Sequence, residues 1–245
     1  MNIQLLHTEL LKHGIQFDTG LTETEIETPA SALLAGGTRI QLYYDEQILA
    51  RTPAPGQLLL DQGRYTLWYK PHGLLAQGSQ WGDHCSLLRW VELELKRDCF
   101  LIHRLDADAA GIMMIAHDSK AAALLSQLFQ SRDLKKYYLA QVNGELVAQN
   151  VRIDQALDGK ESISIVNTLA INHERSSTLV EVLIETGRKH QIRRHLAGFG
   201  HSIIGDRLYG KASDLPLQLL AYKLEFRCPF SRKPIQLELA EDLRG

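Results

Sequence analysis

His103-Arg104-Leu105-Asp106, followed at Gly111 by Ile112-Met113-Met114-Ile115-Ala116, puts a carboxylate on a turn that runs into an apolar stretch. The stretch is long enough to be a buried strand. An acid held at the edge of a rigid strand is a candidate nucleophile or general base. The same residues also read as an ordinary turn, with Asp106 capping the backbone and Arg104 as its ion-pair partner. The tetrapeptide alone does not choose between these readings.

Working outward, Leu58, Leu59 and Leu60, a turn at Asp61-Gln62-Gly63, and residues 65–69 predict two strands. Lys70-Pro71-His72-Gly73 ends the second, because proline cannot continue a ladder and glycine permits the turn. Leu87, Leu88, Val91 and Leu95 recur at helical spacing and predict a helix over 86–95. Asp118-Ser119 caps a predicted helix whose inner face is Ala121, Leu124, Leu125 and Leu128. Strands are predicted over 135–144, 179–185, 217–226 and 235–239, and a helix over 187–199 with Ile192, Leu196 and Phe199 inward. Strands come in adjacent runs with intervening helices, which predicts an α+β fold with a mixed sheet.

Residues 1–50 are a separate piece: a short helical opening, an acidic Thr-rich stretch, Gly36-Gly37, and a predicted strand over 39–44. Arg51-Thr52-Pro53-Ala54-Pro55-Gly56 reads as a linker. The expected division is a small N-terminal head over 1–55 and a main domain over 56–245.

The chain has 245 residues, 44% of them hydrophobic, enough to bury a full core. A net charge of −2 argues against a generally basic nucleic-acid coat protein. The charge is uneven, however. Residues 1–61 hold eight acids against three bases, which leaves the rest of the chain at +3. Within 187–211, six bases face only Asp206. A local basic surface on a near-neutral protein suits one anionic ligand held at one place. Three widely spaced cysteines form no zinc or redox motif and fit a reducing cytoplasm. No basic flank precedes a long apolar core at the N-terminus, and no run approaches the ~18 apolar residues of a membrane span. A soluble, cytoplasmic protein is expected.

Thr186-Gly187-Arg188-Lys189-His190-Gln191-Ile192-Arg193-Arg194-His195-Leu196 crowds bases and a histidine into the opening turns of the predicted 187–199 helix. Cations there oppose the helix dipole by roughly 0.3–1 kcal/mol each. The arrangement makes sense where the helix start and its side chains meet an anion. The plainer reading is a solvated basic face. Ile192 and Leu196 line one side and Lys189 and Arg193 another, so Arg193 projects from a packed helix.

Taken together, these blocks resemble the RluA-type pseudouridine synthases. The resemblance rests on His103-Arg104-Leu105-Asp106 with its downstream glycine, Lys136-x-Tyr138-x-Ala140-x-Val142-x-Gly144, and Gly187-Arg188-Lys189-His190-Gln191-Ile192-Arg193. It extends to Gly200-His201-Ser202-Ile203-Ile204-Gly205-Asp206-Arg207-Leu208-Tyr209-Gly210, Lys70-Pro71-x-Gly73, and the tail over 219–226 with Pro229 beyond. It covers roughly residues 58–240, and five blocks in the right order, with 200–210 continuing the 187–193 block, make chance agreement remote.

The resemblance implies a mixed, largely antiparallel central sheet with flanking helices around a cleft. It implies that Asp106 is the catalytic carboxylate and that Tyr138 stacks beside the target uracil and assists proton removal. Arg193 would pair with Asp106 and orient it, and Arg104 would fill the space left by the flipped-out nucleotide. His103, Lys136, Arg188 and Lys189 would contact RNA, together with His190, Gln191 and Arg194. The implied partner is structured RNA, ribosomal or transfer, bound by a monomer that needs no cofactor, no metal and no membrane. Chemically this is coherent. A uridine inside folded RNA must be extruded before its glycosidic bond can be reached. A carboxylate can act as nucleophile or proton acceptor, and an aromatic ring holds a base by stacking, about 1–3 kcal/mol each.

The chain departs from the family pattern at four places. Ala109-Ala110 stands where a Thr-Ser pair is usual, Tyr69 where Asn precedes Lys-Pro, and Leu220 where His precedes the tail alanine. The mid-domain Thr-x-Tyr strand is Ser164-x-Val166. The acidic head lacks the helical, basic pattern of an S4 RNA-binding module. Two competing readings follow: a catalytically weak or inactive RNA-binding relative, and a small-molecule enzyme using Asp106 as a base. Gly205–Lys211 nearly matches a phosphate loop, but Ala212 lacks the required hydroxyl and Pro216 comes too soon for a long helix. His190 and His195, five apart, diverge on a helix and complete no metal set. No Gly-x-Ser-x-Gly elbow is present. Trp68, Trp81, Trp90 and Tyr137 read as core or cleft wall.

Overall fold

A computed structural model of the chain describes residues 53–78, 85–131, 133–211 and 213–244. The predicted head strand over 39–44 and Trp81 lie outside the described residues. Among those described, ten strands form one sheet: β1 (Gln57–Asp61), β2 (Tyr65–Lys70), β3 (Phe100–Leu101), β4 (Ala110–Ala116), β5 (Lys135–Asn143), β6 (Val151–Ile153), β7 (Ser164–Asn172), β8 (Ser177–Ile184), β9 (Leu219–Arg227) and β10 (Pro234–Glu238). Three α-helices accompany them: α1 (Leu87–Leu95), α2 (Ser119–Gln130) and α3 (Gln191–Gly198). The strand order is β1-β2-β4-β9-β5-β8-β7-β6, with β10 on β9 and β3 on β4. Every named pairing is antiparallel except β4 with β9. This is the α+β fold with a mixed sheet that the sequence predicts.

The apolar run after Asp106 is β4, and all seven of its residues are buried. Ile112 and Met114 pack with Ala121 and Leu125 of α2, whereas Met113 and Ile115 pack with Leu87 and Val91 of α1. Helices cover both faces, so no polar alternation survives in the sequence. Gly111 is fixed by the parallel step to β9. Its φ is +127°, and a Cβ there would sit 2.3 Å from the Ala221 carbonyl oxygen. Gly111→Ala is therefore expected to destabilise the protein by at least about 2 kcal/mol, measured by urea unfolding.

Ser86 caps α1, its hydroxyl accepting from the Arg89 N–H, and Asp118 caps α2, accepting from the Ala121 N–H. Two helix readings are corrected. The buried stripe of α2 runs through Ala121 and Leu125, which leaves Leu124 on its flank at 41% exposure. The basic helix starts at Gln191, not Gly187, because His190 adopts a left-handed conformation (φ 54°) that cannot propagate a helix. Arg188 and Lys189 thus lie in the preceding turn, outside the helix dipole. Phe199 follows the last turn and is exposed rather than inward. The short β6 has no counterpart in the predicted strands, and β7 begins at the strand that the resemblance implies over Ser164-x-Val166. No helix among the described residues is long and apolar enough to cross a membrane.

Candidate active site

A cleft of about 630 Å³ lies along the seam between two buried clusters. One contains Trp68, Leu87, Val91 and Met113 near α1; the other contains Ala140, Val180, Ile192 and Leu196 near α3. Tyr138 of β5 packs against both. The loop from β3 to β4 crosses this seam. Leu105 is anchored in the first cluster and Ala109 in the second, which leaves Asp106 between them, facing the cleft.

Backbone hydrogen bonds and one lysine hold that loop. Ala109 N–H donates to the Asp106 carbonyl at 3.1 Å, and Gly73 N–H donates to the Ala107 carbonyl at 2.9 Å. Lys70, fully buried, donates from Nζ to the carbonyls of Leu74 (2.8 Å), Pro71 (3.1 Å) and Ala107 (3.2 Å). Burial pushes its ammonium down to about 8, against the pull of Asp106 and Asp108. The loop is thus closed without the hydroxyls absent at Ala109-Ala110. Ala110 also faces Leu220 across the parallel β4–β9 step. Two departures from the family pattern therefore meet in a single apolar contact.

The Asp106 carboxylate is engaged on both oxygens. Arg193 Nη1 donates to Oδ2 at 3.2 Å, and His190 Nε2 stands 3.7 Å from Oδ1. Arg193 is itself gripped from behind. Its Nε and Nη2 donate to the two oxygens of Asp206 at 2.8 and 2.7 Å, with Arg193 3% and Asp206 0% exposed. This planar fork on a buried carboxylate raises the guanidinium pKa further, so Arg193 is a permanent, immobile cation. Asp206 also accepts from the backbone N–H groups of Leu208 and Tyr209. Burial alone would raise the Asp206 carboxyl, but Arg193 and these two amides outweigh it and hold it below its ordinary value.

Tyr209 closes the ring of contacts. Its hydroxyl lies 2.9 Å from His190 Nδ1, and its ring sits under the Arg193 guanidinium at 5.4 Å. Burial, with Arg193 and Lys189 nearby, lowers the His190 pKa against Asp106 and Asp206, which raise it. The imidazole is accordingly neutral at pH 7. Tyr138 is pushed above its ordinary value, first by burial and then by the Asp106 charge, and it enters the cleft as a neutral phenol. A one-residue irregularity between Tyr137 and Tyr138 in the β5–β9 pairing leaves Tyr222 as the extra residue on β9. Bulges recur next to active sites, where they re-aim side chains.

The remaining expected residues separate into three groups. Arg104, Lys136, Arg188 and Lys189 line the cleft. Arg104 is exposed and carries no ion pair among the described residues, so Asp106 pairs with Arg193 and not with its own neighbour. His103 also lines the cleft, but its Nε2 accepts the Met114 N–H at 2.9 Å and its ring stacks on Phe129 at 4.0 Å. Burial, and then Lys136, drive its pKa down to about 3, so it forms a neutral wall.

One expected RNA contact, Gln191, is corrected, and another, Arg194, is already paired. Gln191 is 3% exposed and its amide is used up inside the fold. It donates to the Ile163 carbonyl and the Ser164 hydroxyl, and it accepts from the Thr186 hydroxyl and the Arg188 N–H. It shapes the turn that presents Arg188. Arg194 pairs with both oxygens of Asp158 at 2.9 and 3.1 Å and does not line the cleft. Arg194→Ala is expected to change RNA affinity less than about threefold in filter binding, since its charge is already matched. Among the described residues no cluster of His, Cys, Asp and Glu could hold a metal.

Asp206 and Tyr209 were not among the expected site residues. The available signal was charge: Asp206 is the one acid among six bases over 187–211.

Residues 64–198 match the family described as RNA pseudouridylate synthase. An uncharacterized RNA pseudouridine synthase of Aquifex aeolicus is 34% identical, over 95% of this chain and 84% of its own length. Ribosomal large subunit pseudouridine synthase D of Xanthomonas campestris is 29% identical, over 96% of this chain and 82% of its own. Among solved structures, human RNA pseudouridylate synthase domain containing 1 superposes with a TM-score of 0.66 at 19% identity, covering 78% of this chain and 86% of that one. That last likeness is one of fold.

Proposed function

Because the chain belongs to the RNA pseudouridylate synthase family, in its RluA-type branch, we propose that it converts a specific uridine of structured ribosomal RNA to pseudouridine through Asp106. The observation that carries the reading is the Asp106 carboxylate, fixed by the buried Arg193–Asp206 pair and facing a cleft edged by Arg104, Arg188 and Lys189. A cationic rim suits a phosphate backbone, and a cleft closed by a base-stacking ring suits an extruded nucleotide.

The reaction breaks N1–C1′, turns the uracil and joins C5 to C1′; the C5 proton leaves to solvent and the freed N1 takes one up. Atoms balance as an isomerisation, and no oxidant or reductant enters. Asp106 serves whether it attacks C1′ or takes a proton from the ribose. Arg193, a cation that cannot lose its proton, keeps the carboxylate aimed in either route. Tyr138, as a neutral phenol, holds the uracil face and can relay a proton only in concert with a second acceptor.

An inactive RNA-binding relative is disfavoured by the loop geometry, since backbone bonds and Lys70 replace the missing hydroxyls. Ribosomal RNA is favoured by the likeness to the ribosomal large subunit pseudouridine synthase of Xanthomonas campestris. The test is tritium release from transcripts labelled at uridine C5. Release from large-subunit ribosomal transcripts is expected. Release from transfer RNA alone would overturn the substrate assignment, and release from neither would overturn the activity.

A further inference from the structure

The structure contains two buried lysines in or beside the cleft, and they are built differently. Lys70 gives its ammonium to three carbonyls, as a structural lysine should. Lys136 is 6% exposed and lines the cleft, yet its ammonium makes no hydrogen bond and no ion pair among the described residues. Burial alone lowers its basicity, with no carboxylate acting to restore it. Its ladder neighbours on β8 and β9, Ile184 and Leu224, are apolar. Nothing in the fold needs a cation there, and an uncompensated one costs stability.

We propose that Lys136 forms a subsite for a phosphodiester oxygen of the bound RNA, on the nucleotide whose base meets Tyr138. The proposal rests on the reading that RNA enters this cleft. Lys136 and Tyr138 are alternate residues of β5 and so share a face, about 6–7 Å apart along the strand. That separation is comparable to the reach from a nucleotide's base to its own phosphate. The one acid lining the cleft among the described residues, Asp106, is committed to Arg193 and His190. The ammonium is not sealed in either, since among described residues the one enclosed, unpartnered side-chain atom is the Tyr65 hydroxyl. A phosphate oxygen would supply the missing counter-charge.

The test uses the full chain and the ribosomal transcript that releases tritium, with filter binding over a salt series. Lys136→Met is expected to raise Kd about tenfold or more, the loss of one charge-assisted bond. The slope of log K against log salt should become shallower by about 0.7–0.9, one phosphate's share. Its melting temperature should match or exceed that of the native chain, because no protein partner is lost. Lys136→Arg should keep the slope, and Asp106→Asn should lose tritium release while keeping both slope and affinity. An unchanged slope in Lys136→Met, or a fall in its melting temperature, overturns the subsite. Loss of binding in Asp106→Asn as well would instead fault the reading of the cleft.

Discussion

Asp106→Asn is expected to abolish tritium release, by at least about 10³-fold, while leaving the fold intact. The amide is isosteric and keeps an acceptor for Arg193, but it is neither a nucleophile nor a base. The Asp106 side chain is about a third exposed (32%), and Arg193 retains both bonds to Asp206. The variant's melting temperature should therefore stay within about 3 °C of the native value. RNA affinity should persist, because the cleft cations are untouched. An Asn variant that still forms product would remove Asp106 from the chemistry.

Asp206→Ala is expected to be the most destabilising change in the site. It takes from Arg193, 3% exposed, two of its three guanidinium hydrogen bonds, and it strips two backbone amides of their acceptor. Breaking a buried pair of this kind costs about 3–5 kcal/mol. For a domain of this size that is a fall of about 6–20 °C in melting temperature. Activity at permissive temperature should fall too, since Arg193 would no longer hold Asp106 at one angle. Asp206→Asn, which keeps the geometry and loses the charge, should lie between. The pH dependence follows from the lowered Asp206 carboxyl. A carboxylate more acidic folded than unfolded adds stability that is present above the unfolded value near 4 and lost as pH falls through the folded one. Acid unfolding of Asp206→Ala should lack that component.

Much of this arrangement was legible in the sequence, for reasons that differ by residue. The apolar run of β4 was readable because helices cover both its faces, and Gly111 because backbone meets backbone there. Asp106, Tyr138 and Arg193 stood out by motif, and the structure brings all three to one seam. The misreadings share a cause: local pattern does not report what is already satisfied. Gln191 and Arg194 sit in a basic, polar stretch that reads as ligand-facing, but tertiary partners far along the chain consume them. The start of α3 is not legible in the sequence, because nothing in the residue type of His190 announces a left-handed backbone. Asp206 and Tyr209 were hidden inside a segment resembling a phosphate loop. Their work is done on Arg193, thirteen residues away from Asp206, and on His190.

In the proposed function, a carboxylate held by Arg193 and His190 isomerises one uridine in ribosomal RNA. Chemical mapping of pseudouridine across total RNA, from cells with the protein, cells lacking it, and cells carrying Asp106→Asn, tests this most directly. A single ribosomal position should be modified in the first and bare in the other two. Identical maps in all three, from a chain that still binds RNA, would contradict it.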